Sequence, residues 1–217
     1  MKIIKLLIIL IPLRIKLQFI QNKDFIIRYQ SIKKMCNDMI KFAGYKFSVK
    51  GLENIANLKG VVFVSNHQGL IDPVPLVASN PIPFSFISKK ENEKLPIFGF
   101  GAKLLDIIHF DRNSREGNIY MLRESIRRIK KGKSILIFPE GTRSKSNKMN
   151  NFKEGAFQVA YSSKATIVPI TLNGAYDINN DCFSVIFHKP IEFNEYKDLN
   201  LDEISDNVYH IINDSLR

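Results

Sequence analysis

The chain has 217 residues, enough for a single domain that buries roughly 70% of its unfolded surface. Apolar residues make up 45% and charged residues 24%, which excludes an intrinsically disordered chain. Lys and Arg outnumber Asp and Glu by 32 to 21, a formal net charge of +11. That surplus points to anionic partners: nucleic acid, phosphorylated metabolites, acidic carrier proteins or an anionic membrane face.

The chain opens MKIIKLLIILIPLRIKLQFIQN, with an uncharged run from Leu6 to Leu13 bounded by Lys5 and Arg14. This run is too short to span a bilayer, which takes ~20 helical residues. No small-x-small cleavage site follows it, since Leu17, Phe19 and Ile20 are bulky, so a secretory signal is disfavoured. Lys2, Lys5, Arg14, Lys16 and Lys23 suit partial insertion with cations at the headgroups. The expectation is an interfacial anchor continuing as an amphipathic helix over residues 24 to 43; the competing reading is a buried first helix. Domain boundaries follow as 1–43 for a membrane-anchoring helical motif and 44–217 for the main domain.

After Gly44, short apolar runs alternate with helical segments, the pattern of an α/β layer fold. Candidate strands are Tyr45 to Val49, Val61 to Ser65, Pro83 to Ser88, Ile107 to Asp111, Ser134 to Phe138, Ala165 to Leu172 and Phe183 to Phe187. Several are apolar throughout, as strands covered on both faces tend to be, so a mixed, largely parallel sheet flanked by helices is expected. Ile119, Leu122, Ile126 and Ile129 recur at helical spacing before Gly132, a C-terminal capping glycine, with Arg123, Arg127, Arg128, Lys130 and Lys131 mostly on the opposite face. Ile204, Val208, Ile211, Ile212 and Leu216 mark a closing amphipathic helix.

The stretch SNHQGLID follows one of these strands and carries His67 five positions before Asp72. Asp72-Pro73 has the chemistry of a helix N-cap followed by proline, which places His67 in the preceding loop. Asp72 either caps the helix or orients the imidazole so that its second nitrogen acts as a base. A zinc site is disfavoured, since His109, His188 and His210 are remote and no Cys/His cluster exists. Cys36 and Cys182 lie apart without a CxxC partner, the usage of a reducing compartment. Farther on, Phe138-Pro139-Glu140-Gly141-Thr142-Arg143-Ser144 leaves another strand end, where ligands bind in α/β sheets. Arg112 ends a third strand, in IIHFDR. Arg112 and Arg143 form a phosphate clamp if they converge on one crevice, and are surface ion-pair members otherwise.

NHQGLID, HFDR, FPEGTRS and IVPI, in that order and with SKKE and FKEGAF between them, resemble the blocks of the glycerophospholipid acyltransferases, in particular the bacterial 1-acylglycerol-3-phosphate acyltransferases. The likeness runs from about Gly51 to Ile170, and one departure is Gly69, where many relatives carry serine. The resemblance implies an acyltransferase domain beside a short membrane-associated helical motif, at the cytoplasmic face of the cell membrane. It implies acyl transfer from a thioester of acyl-carrier protein or coenzyme A to the sn-2 hydroxyl of lysophosphatidate. In those terms His67 is the general base and Asp72 its orienting carboxylate; Arg112 and Arg143 grip the acceptor phosphate. Glu140, Gly141 and Thr142 belong to the acceptor site, and Lys153 adds positive charge. No metal or organic cofactor is required. No GxSxG nucleophile elbow is present, so direct transfer without an acyl-enzyme is expected, with Ser65 and Ser144 as turn residues. Glycerol 3-phosphate or another lysophospholipid is the alternative acceptor. A thioester hydrolase and a non-catalytic basic protein bound to anionic lipid are the other readings. Nucleic-acid binding has no motif of interleaved aromatic and basic residues to support it.

Overall fold

A computed structural model describes residues 18–94 and 98–216. The run from Leu6 to Leu13, and with it most of the expected anchor, lies outside the described residues. Every candidate strand is present within two residues of its expected limits: β1 (Lys46–Lys50), β2 (Val62–Ser65), β3 (Phe84–Lys89), β4 (Ile108–Phe110), β5 (Ser134–Ile137), β6 (Ile167–Asn173) and β7 (Cys182–Phe187). They form one sheet in the order β1-β7-β6-β2-β5-β3-β4. All neighbours run parallel except β6 and β7, so the sheet is mixed and largely parallel.

The strand sequences explain their places. Every residue of β2 (VFVS) and β5 (SILI) is buried, as the centre of a sheet covered on both faces requires. β1 (KFSVK) alternates exposed with half-buried residues and turns Lys46, Ser48 and Lys50 outward, a charged edge that discourages pairing with another chain. Alternation along β2 divides the core: Phe63 enters one hydrophobic layer, while Val62 and Val64 enter the other.

Helices α1 (Phe25–Ala43) and α2 (Pro73–Ser79) cover the first layer. The second layer is covered by α4 (Arg115–Lys130), α5 (Gln158–Ser163) and α7 (Leu201–Asn213); α3 (Phe98–Leu104) and α6 (Phe193–Tyr196) are shorter helices. The expected helix over residues 24 to 43 is α1. Its stripe of Tyr29, Ile32, Cys36, Met39 and Ile40 is buried in the core, each large side chain contributing ~1.5–3 kcal/mol, and Gly44 ends it at φ +79. Ile26, Ile27 and Phe42 point outward, 57%, 45% and 48% exposed. Among the described residues no helix is long and apolar enough to cross a membrane.

Helix α4 departs from its expected orientation. Its inward face is Met121, Leu122, Ser125 and Ile129, while Ile119 is 39% exposed. The buried stripe thus runs through Met121 and Ser125 and leaves Ile119 on the outer side. Arg128 also turns in rather than out: it donates to Ser85 Oγ and to the carbonyl of Asp106, and Glu124 accepts from its Nε at 2.7 Å. Helix α7 begins with a reciprocal cap between Asn200 and Glu203 and buries Ile204, Val208 and Ile212, whereas Leu216 lies beyond its last turn.

Candidate active site

The parallel strands β2, β3, β4 and β5 bring four loops together at their C-terminal ends, where a cleft of about 570 Å³ opens. His67 lines it from the loop after β2, Lys89 from the end of β3, Arg112 from the loop after β4, and Thr142 and Arg143 from the loop after β5. Gly141 and Lys153 also line it. Of the eight site residues expected from the sequence, Asp72 and Glu140 alone do not reach the cleft surface; both are buried behind it.

Asp72 does not cap α2. Its backbone is already helical and its side chain makes no bond to the helix. The carboxylate turns back instead: Oδ2 lies 2.6 Å from His67 Nδ1 and accepts the Gln68 N–H at 2.7 Å, and Oδ1 accepts the Gly69 N–H at 2.8 Å. Proline at 73 has no N–H to cap, which removes part of the competition for this side chain. Burial pushes the Asp72 carboxyl up, and the bonds from His67, Gly69 and Gln68 pull it down. A carboxylate ringed by donors takes Nδ1–H from the imidazole, which leaves Nε2 with its lone pair. The imidazole side chain is 23% exposed, against 0% for Asp72.

The rest of the loop is pinned from both sides. Asn66 donates to Leu172 O at 2.9 Å and accepts from Leu172 N at 2.8 Å on β6; Gln68 accepts from Ala175 N at 3.0 Å. Glu140 reaches across from the β5 loop, accepting the His67 N–H at 2.6 Å through Oε1 and the Asn150 N–H at 2.8 Å through Oε2. Burial raises its carboxyl above the usual range against those two bonds. Both Glu140 oxygens are occupied by backbone N–H groups, so the side chain shapes the site from behind the cleft. Ser144 and Lys145 N–H groups donate to the carbonyls of His67 and Gln68, at 2.8 and 3.0 Å, and sew the two loops together.

Gly141 sits where two cations meet. Its φ of +69 suits glycine, its carbonyl accepts from Arg112 Nη1, and a Cβ there would lie 3.3 Å from Lys153 Nζ. The Arg112 guanidinium stands 5.9 Å over the Phe110 ring, and burial lowers its pKa while the charge of Glu91 raises it. The expected convergence of Arg112 and Arg143 on one crevice is therefore observed, joined by Lys153 and Lys89. Lys89 is a site residue that the sequence signals only through its place in SKKE, between the other blocks. Phe138, signalled only by its place at the head of FPEGTRS, is another: its ring stacks on the imidazole, centroids 4.1 Å apart and planes 18° from parallel. Ser65 and Ser144 hydroxyls donate to the carbonyls of Asn66 and Ser146. Among the described residues no three His, Cys, Asp or Glu side chains cluster as a metal site would need.

Residues 46–173 match the acyltransferase family, a span holding every residue of this cleft. The chain belongs to that family. It is similar to the chloroplastic 1-acyl-sn-glycerol-3-phosphate acyltransferase LPAT1 of Arabidopsis thaliana, 35% identical over 74% of this chain and 48% of the relative. The probable 1-acyl-sn-glycerol-3-phosphate acyltransferase of Mycoplasma pneumoniae is 27% identical over 86% of this chain and 77% of its own. Against its plant relatives the chain spans about half their length. Its fold is that of the 1-acyl-sn-glycerophosphate (LPA) acyltransferase PlsC of Thermotoga maritima, with a TM-score of 0.76 at 22% identity, covering 100% of this chain and 96% of that one. Within this acyltransferase domain the glycine at 69 has a local cause: a Cβ there would lie 2.1 Å from the carbonyl oxygen of Ala175, so the loop after β6 has closed over the space a side chain would fill.

Proposed function

We propose that this chain transfers a fatty acyl group from a thioester of acyl-carrier protein or coenzyme A to the sn-2 hydroxyl of 1-acylglycerol 3-phosphate, giving phosphatidic acid. The observation that carries this reading is the His67–Asp72 bond at 2.6 Å in a cleft that also presents Lys89, Arg112, Arg143 and Lys153. Among the described residues no serine, threonine or cysteine is bonded to the His67 ring, which suits a substrate hydroxyl as the nucleophile, and a cluster of cations suits a phosphate. The relatives named above as 1-acylglycerol-3-phosphate acyltransferases support the same acceptor.

In this mechanism His67 Nε2 takes the hydroxyl proton as the oxygen attacks the thioester carbonyl carbon. The tetrahedral intermediate collapses, the C–S bond breaks, and the departing thiolate receives that proton from the imidazolium. Asp72 keeps the proton on Nδ1 and stabilises the imidazolium between the two transfers. Placing the base contributes ~10²- to 10⁴-fold. Arg112 and Arg143 hold the phosphate, with Lys89 and Lys153 adding charge, and Phe86, Ile137 and Val159 give the cleft an apolar wall for an acyl chain.

The chain acts in this reading at the cytoplasmic face of the membrane, as a peripheral or monotopic protein. Leu70, 72% exposed and three residues from His67, together with Ile26 and Ile27, supports contact with lipid. The test is a panel of labelled acyl thioesters, on carrier protein and on coenzyme A, against lysophosphatidate, glycerol 3-phosphate and other lysophospholipids. Labelled phosphatidic acid from lysophosphatidate is the expected product. Free fatty acid in place of ester would replace this reading with a hydrolase, and ester formed solely with another acceptor would move the substrate.

A further inference from the structure

Phe138 stands at the end of β5, where the chain leaves the sheet for the Glu140 loop. Its ring covers the face of the His67 imidazole, 4.1 Å away and 18° from parallel, and Phe86 continues the row at 6.2 Å and 17°. Asp72 grips that imidazole at one edge atom alone, Nδ1. One hydrogen bond fixes the distance and leaves the ring free to tilt about the Nδ1 to Oδ2 line. A flat neighbour at stacking distance removes the tilt.

We propose that Phe138 is a positioning residue for His67: its ring sets the plane of the imidazole so that Nε2 stays aimed into the cleft, and its π face favours the imidazolium over the neutral ring. The inference rests on His67 being the base of the acyl transfer. A phenyl ring has a negative face and a positive edge, so a stacked cation gains from it what a neutral ring does not. Leucine supplies the same apolar cover without the quadrupole. The geometry therefore predicts a difference between Phe and Leu that bulk alone does not produce.

The experiment compares the full chain with Phe138→Leu and Phe138→Tyr, using lysophosphatidate and acyl-coenzyme A. In Phe138→Leu, kcat falls about 3- to 10-fold with the acceptor KM unchanged. The acidic limb of the kcat/KM profile moves to lower pH by about half a unit to one unit. Phe138→Tyr recovers both. A Leu variant with an unmoved acidic limb, or a loss that Tyr does not recover, reduces Phe138 to packing and overturns the proposal. An NMR titration of the His67 ring, assigned by its loss in His67→Ala, reads the same pKa change without turnover. Should the wild-type chain fail to acylate lysophosphatidate, that titration still decides the role of Phe138, and the failure falls on the proposed reaction alone.

Discussion

The loop after β2 and the loop after β5 each place a buried carboxylate against His67, and they do so by different means. Asp72 belongs to the loop it organises: it takes the imidazole and two backbone N–H groups from residues three to five positions before it. Glu140 comes from a loop 73 residues away and takes the peptide N–H of the same histidine. One carboxylate is bonded to the imidazole proposed as the base, the other to the backbone that carries that imidazole. The difference teaches that a buried acid near a catalytic base is not thereby a chemical participant; what it touches decides.

Substitution separates the two. Asp72→Asn keeps size but offers an amide where the imidazole N–H and two backbone N–H groups need acceptors, and it removes the charge that the proposed mechanism uses to stabilise the imidazolium. Its kcat falls ~10³- to 10⁴-fold at saturating acceptor, measured with labelled thioester on protein whose circular dichroism is unchanged. Glu140→Gln leaves one of two buried N–H groups poorly paired, which costs about 1–3 kcal/mol of stability. Its thermal midpoint drops, and kcat falls by about 10-fold as the loop loosens. A Glu140→Gln loss as large as that of Asp72→Asn, in a protein of unchanged stability, would erase the distinction.

The cations give the next largest effect. Arg143→Ala raises the acceptor KM about 10-fold with the thioester KM unchanged, since a charge-assisted bond to phosphate is worth about 1.5–3 kcal/mol. Gly69→Ser tests the contact behind the β2 loop: the carbonyl of Ala175 must retreat, and denaturant unfolding should show a loss of about 1–3 kcal/mol. The smallest effect belongs to a third carboxylate, Glu124, whose bonds from Arg127 and Arg128 lower it to about 2 despite some opposing burial. Its folded value lies below its unfolded one, so its contribution is complete above pH ~4.3 and is lost as pH falls toward 2. Glu124→Gln should cost ~0.5 kcal/mol at neutral pH and converge with wild type in acid. Asp72 and Glu140 have the opposite sign: burial raises both, so their charged forms weaken stability as pH rises from the unfolded values through the folded ones.

The strands were legible because a two-faced parallel sheet writes itself as short apolar runs; VVFVS and SILI admit little else once turn residues bound them. The pairing of His67 with Asp72 was legible too, as a local relation across one turn. From the residues alone, a cap on the helix stayed open beside it. Asp-Pro at a helix start has the composition of a cap, and the competing N–H groups of Gln68 and Gly69 turn it away. Glu140 and Phe138 were visible in a loop rich in chemistry, but their contacts with His67 span about 70 positions and depend on β2 and β5 being neighbours. The stripe on α4 misled because Ile119 fits the helical period as well as Met121 does, and periodicity alone cannot see which side the sheet is on.

The position of β2 has a consequence for how the protein comes into being. Its partners β5 and β6 lie roughly 70 and 100 residues later in the chain, and the bonds from His67 to Glu140 and from Asn66 to Leu172 arrive with them. A ribosome that has made the NHQGLID stretch has made a histidine without its scaffold. In the proposed reading, reactivity toward thioesters is thus withheld during synthesis and granted late, when the sheet closes around His67.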